Sequence, residues 1–144
     1  MVFGTFDLWH PGHADFFKQA KRFGDKLTAV VARDETVLKL RNRPAHNNEN
    51  IRAKNVRQSG LADQVLLGNK RNKYAVIKKI KPDVICLGYD QEYFVTELST
   101  KIKEFDLKIK VTRLKAFMPD KYKSSILKSH NSFGVMIRKK LKII

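Results

Sequence analysis

Short runs of Val, Ile and Leu recur along the chain, each followed by a segment whose apolar residues return at helical spacing. That alternation is the pattern of repeated strand–helix units and speaks against a helical bundle or a β-sandwich. It predicts strands at residues 2–4, 27–32, 63–67, 83–87 and 108–114, and helices at 11–24, 49–58, 73–80 and 91–105. The run Asp-Val-Ile-Cys-Leu at 83–87 is apolar on both faces, as a strand covered on both sides requires. Right-handed crossovers then give an α/β fold, a doubly wound parallel five-stranded sheet forming a single domain over residues 1–144. Gly24 suits the end of the first helix and Pro82 stops the third. Residues 34–48 read as a long polar and basic connection, and 108–114 as an edge strand. Residues 117–132 are mostly polar, and 131–144 form a C-terminal tail whose packing, as helix or strand, the pattern leaves open.

A chain of 144 residues buries a core without staples, and its single cysteine, Cys86, lies inside an apolar run. A disulfide frame and a cysteine-based metal site are thereby excluded. Lys and Arg number 30 against 14 Asp and Glu, a formal net charge of +16. Such a surface attracts nucleic acid, acidic membranes and nucleotide phosphates alike, and is equally consistent with a solvated lysine-rich exterior. There is no apolar run of about 18 residues, and the opening MVFGTFD lacks the basic and apolar stretches of a secretion signal. A cytoplasmic protein, not held in a membrane, is expected.

Ligands of an open parallel sheet bind beyond the carboxyl ends of its strands. Four segments at such positions are unusually polar: Gly4-Thr5-Phe6-Asp7-Leu8-Trp9-His10-Pro11-Gly12-His13, Ala32-Arg33-Asp34-Glu35, Leu87-Gly88-Tyr89-Asp90-Gln91 and Lys121-Tyr122-Lys123-Ser124-Ser125. In the first, Pro11 at the first helical position puts His10 at the N-cap and His13 at the end of the first turn. Both imidazoles then share one side, next to unpaired backbone N–H groups. Gly12 allows close approach of a phosphate. The residues alone also permit a zinc site built from the two histidines and Asp7, or two ordinary capping or core histidines. Lys39, Arg41 and Arg43 alternate, so an extended segment would point them the same way. Arg52 opens a helix, where an arginine can make a surface ion pair. Asp90, just past a buried strand, either hydrogen-bonds a ribose or nucleobase or caps the next helix. Ser124 and Ser125 precede an apolar pair and suit a helix start.

The string GTFDLWHPGH resembles the signature of the nucleotidyltransferases of the cytidylyltransferase and wider HIGH type, in which a GTFD strand end is followed by H-x-G-H. Further blocks follow in order to about Leu127: Asn48-Glu49-Asn50-Ile51-Arg52, then Ala62-Asp63, then Leu87-Gly88-Tyr89-Asp90-Gln91. The last, with Val31-Ala32-Arg33-Asp34-Glu35, looks most like the archaeal FAD synthases. The resemblance implies a Rossmann-like nucleotidyltransferase fold and transfer of AMP from ATP to FMN, giving FAD and pyrophosphate. The nearest alternative is CTP-dependent transfer to glycerol 3-phosphate or another phosphoalcohol; a further one is a non-catalytic nucleotide- or nucleic-acid-binding protein. By the same resemblance, His10 and His13 hold phosphate oxygens in the transition state, with Lys39 as a third catalytic group. Thr5, Phe6, Pro11, Gly12, Asp90, Ser124 and Ser125 bind the nucleotide, and Lys39, Arg41 and Arg52 the substrate phosphates. Lys121-Tyr122-Lys123 departs from the family pattern, standing where an arginine and a glycine are usual. No protein-held metal is implied; a divalent cation, Mg²⁺ or similar, arrives with the nucleotide. Nucleic acid is not an obligatory partner, and a homodimer is expected.

Overall fold

A computed structural model describes residues 1–118 and 120–121. Its elements, in chain order, are β1 (Val2–Gly4), α1 (Pro11–Lys21), β2 (Thr28–Val31), α2 (Asp34–Arg41), α3 (Glu49–Gln58), β3 (Gln64–Leu67), α4 (Ala75–Ile80), β4 (Val84–Leu87), α5 (Val95–Glu104) and β5 (Lys110–Arg113). All pairings are parallel, in the order β3-β2-β1-β4-β5, so β1 lies at the centre and the chain reverses direction across the sheet on passing to β4. The doubly wound α/β sheet expected from the sequence is the architecture found.

Period-two alternation divides the interior between the two faces of this sheet. Val2, Ala29, Val31 and Cys86 point to one face, where Phe17 and Ala20 of α1 and Ala53 and Val56 of α3 cover them. Val30, Ile85 and Leu87 point to the other, against Val76 and Ile77 of α4 and Leu98 and Ile102 of α5. Burying an aliphatic side chain of this size contributes about 1.5–3 kcal/mol, so both faces stabilise the sheet. The edge strand β5 leaves Lys110, Val111 and Arg113 exposed, and only Thr112 is partly buried.

Three local expectations are corrected. Residues 34–48 do not form an extended connection, because 34–41 are helix α2. Acidic residues occupy its first turn and Lys39 and Arg41 its last, as the helix dipole favours. Only Val37 is buried, which left no apolar periodicity to read. Gly24 does not cap α1: the helix stops at Lys21, and Arg22 closes it in the right-handed region, its amide donating to the Gln19 carbonyl and that of Phe23 to the Ala20 carbonyl. Finally, α5 starts at Val95 and not near Gln91, because Phe94 adopts φ +82° and no helix runs through that backbone.

Candidate active site

A cavity of about 640 Å³ opens over the carboxyl ends of the strands. The residues just past each of them contribute: Thr5 and Phe6 after β1, Ala32 and Arg33 after β2, Gly68 and Asn69 after β3, Gly88 through Asp90 after β4, and Lys115 after β5. It lies where such sheets bind ligands.

The loop from β1 into α1 is strained and tightly packed. Phe6 and Leu8 hold φ of 50° and 51°, in the left-handed region that non-glycine residues avoid. The turn at Phe6 folds its ring back over Gly4, where a Cβ would stand 2.7 Å from the ring. Phe6 then packs edge-on against Phe17, at 5.0 Å, and against the His13 ring, at 5.7 Å. Glycine at position 4 is therefore a packing requirement.

His10 is the N-cap of α1, and its Nδ1 accepts the Gly12 amide at 3.1 Å. An acceptor at Nδ1 puts the imidazole proton on Nε2. The His13 ring stacks on that of His10, centroids 3.8 Å apart and planes 24° apart. Burial pushes the His13 pKa down to about 3, helped by the neighbouring His10, and burial lowers that of His10 as well. Two neutral rings thus flank the helix N-terminus, where the macrodipole favours an anion. His13 Nδ1 is buried and finds no hydrogen-bond partner among the described residues.

Behind this pair, charged side chains tie three loops together. Asp7, 1% exposed, accepts the amides of His46 and Asn47 at 2.6 and 3.0 Å. Arg52, fully buried, donates from Nε to the Asn47 carbonyl at 3.0 Å, from Nη1 to that of Thr5 at 2.7 Å, and from Nη2 to Asp34 at 2.8 Å. Glu49 accepts the Asp34 amide at 2.8 Å and pairs with Arg33 at 2.9 Å. The Asp34 amide, then Arg33, hold its carboxyl below the usual range. Arg33 in turn donates to the Gly68 carbonyl at 2.6 Å.

Of the residues expected from the sequence, Thr5, Phe6, His10, Gly12, His13, Arg41 and Asp90 line the cavity together. Pro11 is exposed and starts the helix without lining it. Arg41 reaches to 3.5 Å from the Thr5 hydroxyl. Lys39 does not line the cavity, because on a helix positions 39 and 41 face nearly opposite ways. Arg52 lies behind the wall with each guanidinium nitrogen on a protein oxygen, so its charge is spent on loops and not on a phosphate. Asp7 is likewise engaged by two amides in place of the zinc geometry that the residues alone allowed, and among the described residues no group of three or more His, Cys, Asp or Glu gathers to hold a metal. Ser124, Ser125, Tyr122, Lys123 and the 131–144 tail lie outside the described residues. Sequence reasoning missed Asn69, Lys73, Tyr93 and Lys115 as lining residues. The strand-end rule finds Asn69 and Lys115 once applied to β3 and β5 at their observed ends. Lys115 is fixed by Gln19 of α1, which accepts its amide and donates to its carbonyl at 3.1 and 3.0 Å.

The cytidylyltransferase-like family model matches residues 1–130. Over 117 residues the chain is 40% identical to a protein named FAD synthase from Aciduliprofundum boonei, covering 81% of this chain and 78% of that one. A protein of the same name from Pyrococcus abyssi is 43% identical over 115 residues, covering 79% and 78%. Among solved structures, one described as the lipopolysaccharide core biosynthesis protein of Thermoplasma volcanium superposes with a TM-score of 0.75 at 33% identity, covering 81% of this chain and 95% of that one. A protein of unknown function from Archaeoglobus fulgidus, 19% identical, shares the fold with a TM-score of 0.66.

Proposed function

Because the chain belongs to the cytidylyltransferase-like family, we propose that it catalyses the reaction for which its relatives are named, transfer of AMP from ATP to FMN with release of pyrophosphate. The protein is a nucleotidyltransferase. The observation that carries the chemistry is the stacked, neutral His10–His13 pair at the N-terminus of α1, inside a cavity large enough for a nucleotide.

The reaction asks for positioning and charge stabilisation more than for covalent help. An oxygen of the FMN phosphate attacks the α-phosphorus of ATP in line. The bond from that phosphorus to the oxygen bridging to the β-phosphate breaks, and pyrophosphate leaves with its electron pair. Negative charge that builds on the oxygens in flight meets the His10 Nε2–H, the His13 ring and the amides at the start of α1. A neutral imidazole suits this role, because it donates a hydrogen bond without presenting a cation that would trap the product. Arg41 and Arg43, both lining the cavity, hold the departing or accepting phosphates. Asp90 is assigned the ribose hydroxyls and Arg52 the positioning of the Thr5 backbone. A hydrated divalent cation enters with the triphosphate as part of the substrate. A cytoplasmic location and a single domain spanning 1–144 go with this activity. A homodimer belongs to it too, and light scattering on the purified protein checks that state. Among the described residues no helix is long and apolar enough to cross a membrane.

The purified protein is incubated with ATP or CTP against FMN, glycerol 3-phosphate and other phosphate acceptors, following pyrophosphate and FAD. FAD formation with ATP is expected. Pyrophosphate release from CTP and not from ATP overturns the reading.

A further inference from the structure

The phosphoryl chemistry occupies the part of the cavity beside α1 and leaves unassigned the part on the opposite face, under α4 and α5. There Lys73 and Tyr93 stand together, the ammonium 4.4 Å from the centre of the Tyr93 ring and 5.1 Å from that of Tyr74. Both line the cavity, and Tyr93 is 45% exposed despite its large aromatic ring. Its position is built into the fold. The next residue, Phe94, holds φ +82°, a costly backbone for any side chain. Buried contacts keep it there: its ring packs on Tyr74 at 4.9 Å and on Phe3 at 4.4 Å, and the Tyr74 hydroxyl donates to its carbonyl at 3.0 Å. Strain held by a buried aromatic cluster delays α5 and leaves Tyr93 on the cavity wall.

We infer that Tyr93 and Lys73 form the shelf that receives the isoalloxazine ring of the acceptor, an inference that rests on the FMN reading above. An exposed phenol ring beside a cavity is a stacking platform for a flat heteroaromatic ring. The ammonium beside it offers three donors and no acceptor. That suits the two carbonyl oxygens of a flavin's pyrimidine ring, a kind of acceptor that adenine does not carry. Position is compatible with this use. Lys73 and Tyr93 lead into α4 and α5 on one face of the sheet, whereas the histidine pair opens α1 on the other, so the shelf adjoins the transfer site without being part of it.

Two measurements on the full chain test the shelf: KM for each substrate, and binding of FMN alone followed by quenching of its fluorescence. Tyr93→Leu is expected to raise KM for FMN about tenfold, the usual scale for loss of one stacking contact, while KM for ATP stays within about twofold of the parent. Tyr93→Phe keeps the ring and restores KM for FMN. Lys73→Met weakens FMN quenching by several-fold. A rise in KM for ATP in place of FMN, or FMN binding indifferent to both positions, overturns the shelf. If the parent makes no FAD, the reading of the reaction fails on its own; the quenching titration still decides the shelf, which stands if the parent binds FMN better than Tyr93→Leu and falls if it does not.

Discussion

At His10 the N-cap geometry determines which nitrogen carries the proton, and the chemistry follows from that. His10→Ala removes a donor to charge that develops only in flight, so turnover should fall roughly 100- to 1000-fold, with much less effect on ATP affinity. A single-turnover assay beside a nucleotide-binding titration separates the two. His13 makes a different prediction. Its pKa falls from the ordinary 6.5 to about 3 on folding, so between those values the unfolded chain holds a proton that the folded chain lacks. Acidification through that window therefore destabilises the native state, and the stability present above about pH 6.5 is lost progressively below it. Melting temperatures from pH 7 downward should fall more steeply for the parent than for His13→Gln. Gly4→Ala places a methyl group against the buried Phe6 ring and should cost about 1–3 kcal/mol in urea denaturation, with loss of activity as the loop shifts. The motif around these residues was legible in the sequence because its spacing is local. The burial that sets the His13 titration was not, since Phe6 and Trp9 are brought onto its ring by positive-φ turns that no periodicity announces.

At the scale of elements, loops and strand ends hold the site in shape through side chains that do not line it. Arg52 joins α3 to the loops after β1 and α2 through three acceptors, and Arg52→Met removes the donor from the Thr5 and Asn47 carbonyls while the half-exposed Asp34 carboxylate turns to water. A loss of about 1–3 kcal/mol is expected, since the buried guanidinium site is left without its hydrogen bonds. Arg113 acts similarly from the edge strand, donating from Nη1 to the carbonyls of Gly88 and Gln91 at 2.7 and 2.9 Å and so bracketing Asp90. Arg113→Met should raise KM for ATP more than it lowers kcat. The strands were readable because apolar runs mark them, and Pro82 marked the end of the helix before β4. Helix α2 was hidden because Leu38 and Leu40 are exposed and only Val37 is buried, so its hydrophobic pattern matches no period. The misreading of Lys39 follows from the same error: an extended chain makes positions 39 and 41 neighbours on one side, and a helix parts them.

For the whole molecule, the excess of 16 positive charges acts first on encounter. ATP and FMN are both anions, so kcat/KM for each should fall several-fold as salt is raised from about 0.02 to 0.2 M, with kcat nearly constant, because screening weakens steering and not the buried chemistry. The architecture was legible at this scale because alternation of strand and helix reports it directly. The separation of the cavity into two ends was not, because it depends on which face each crossover covers. That separation has a consequence for how such an enzyme changes over generations. The histidine pair and its arginine bracing belong to the α1 and α3 side of the sheet, the aromatic shelf to the α4 and α5 side, and among the described residues the two sides share no core residue. A substitution at Lys73 or Tyr93 therefore disturbs no core contact of the histidine pair, so acceptor binding can be altered there without unpacking the transfer machinery.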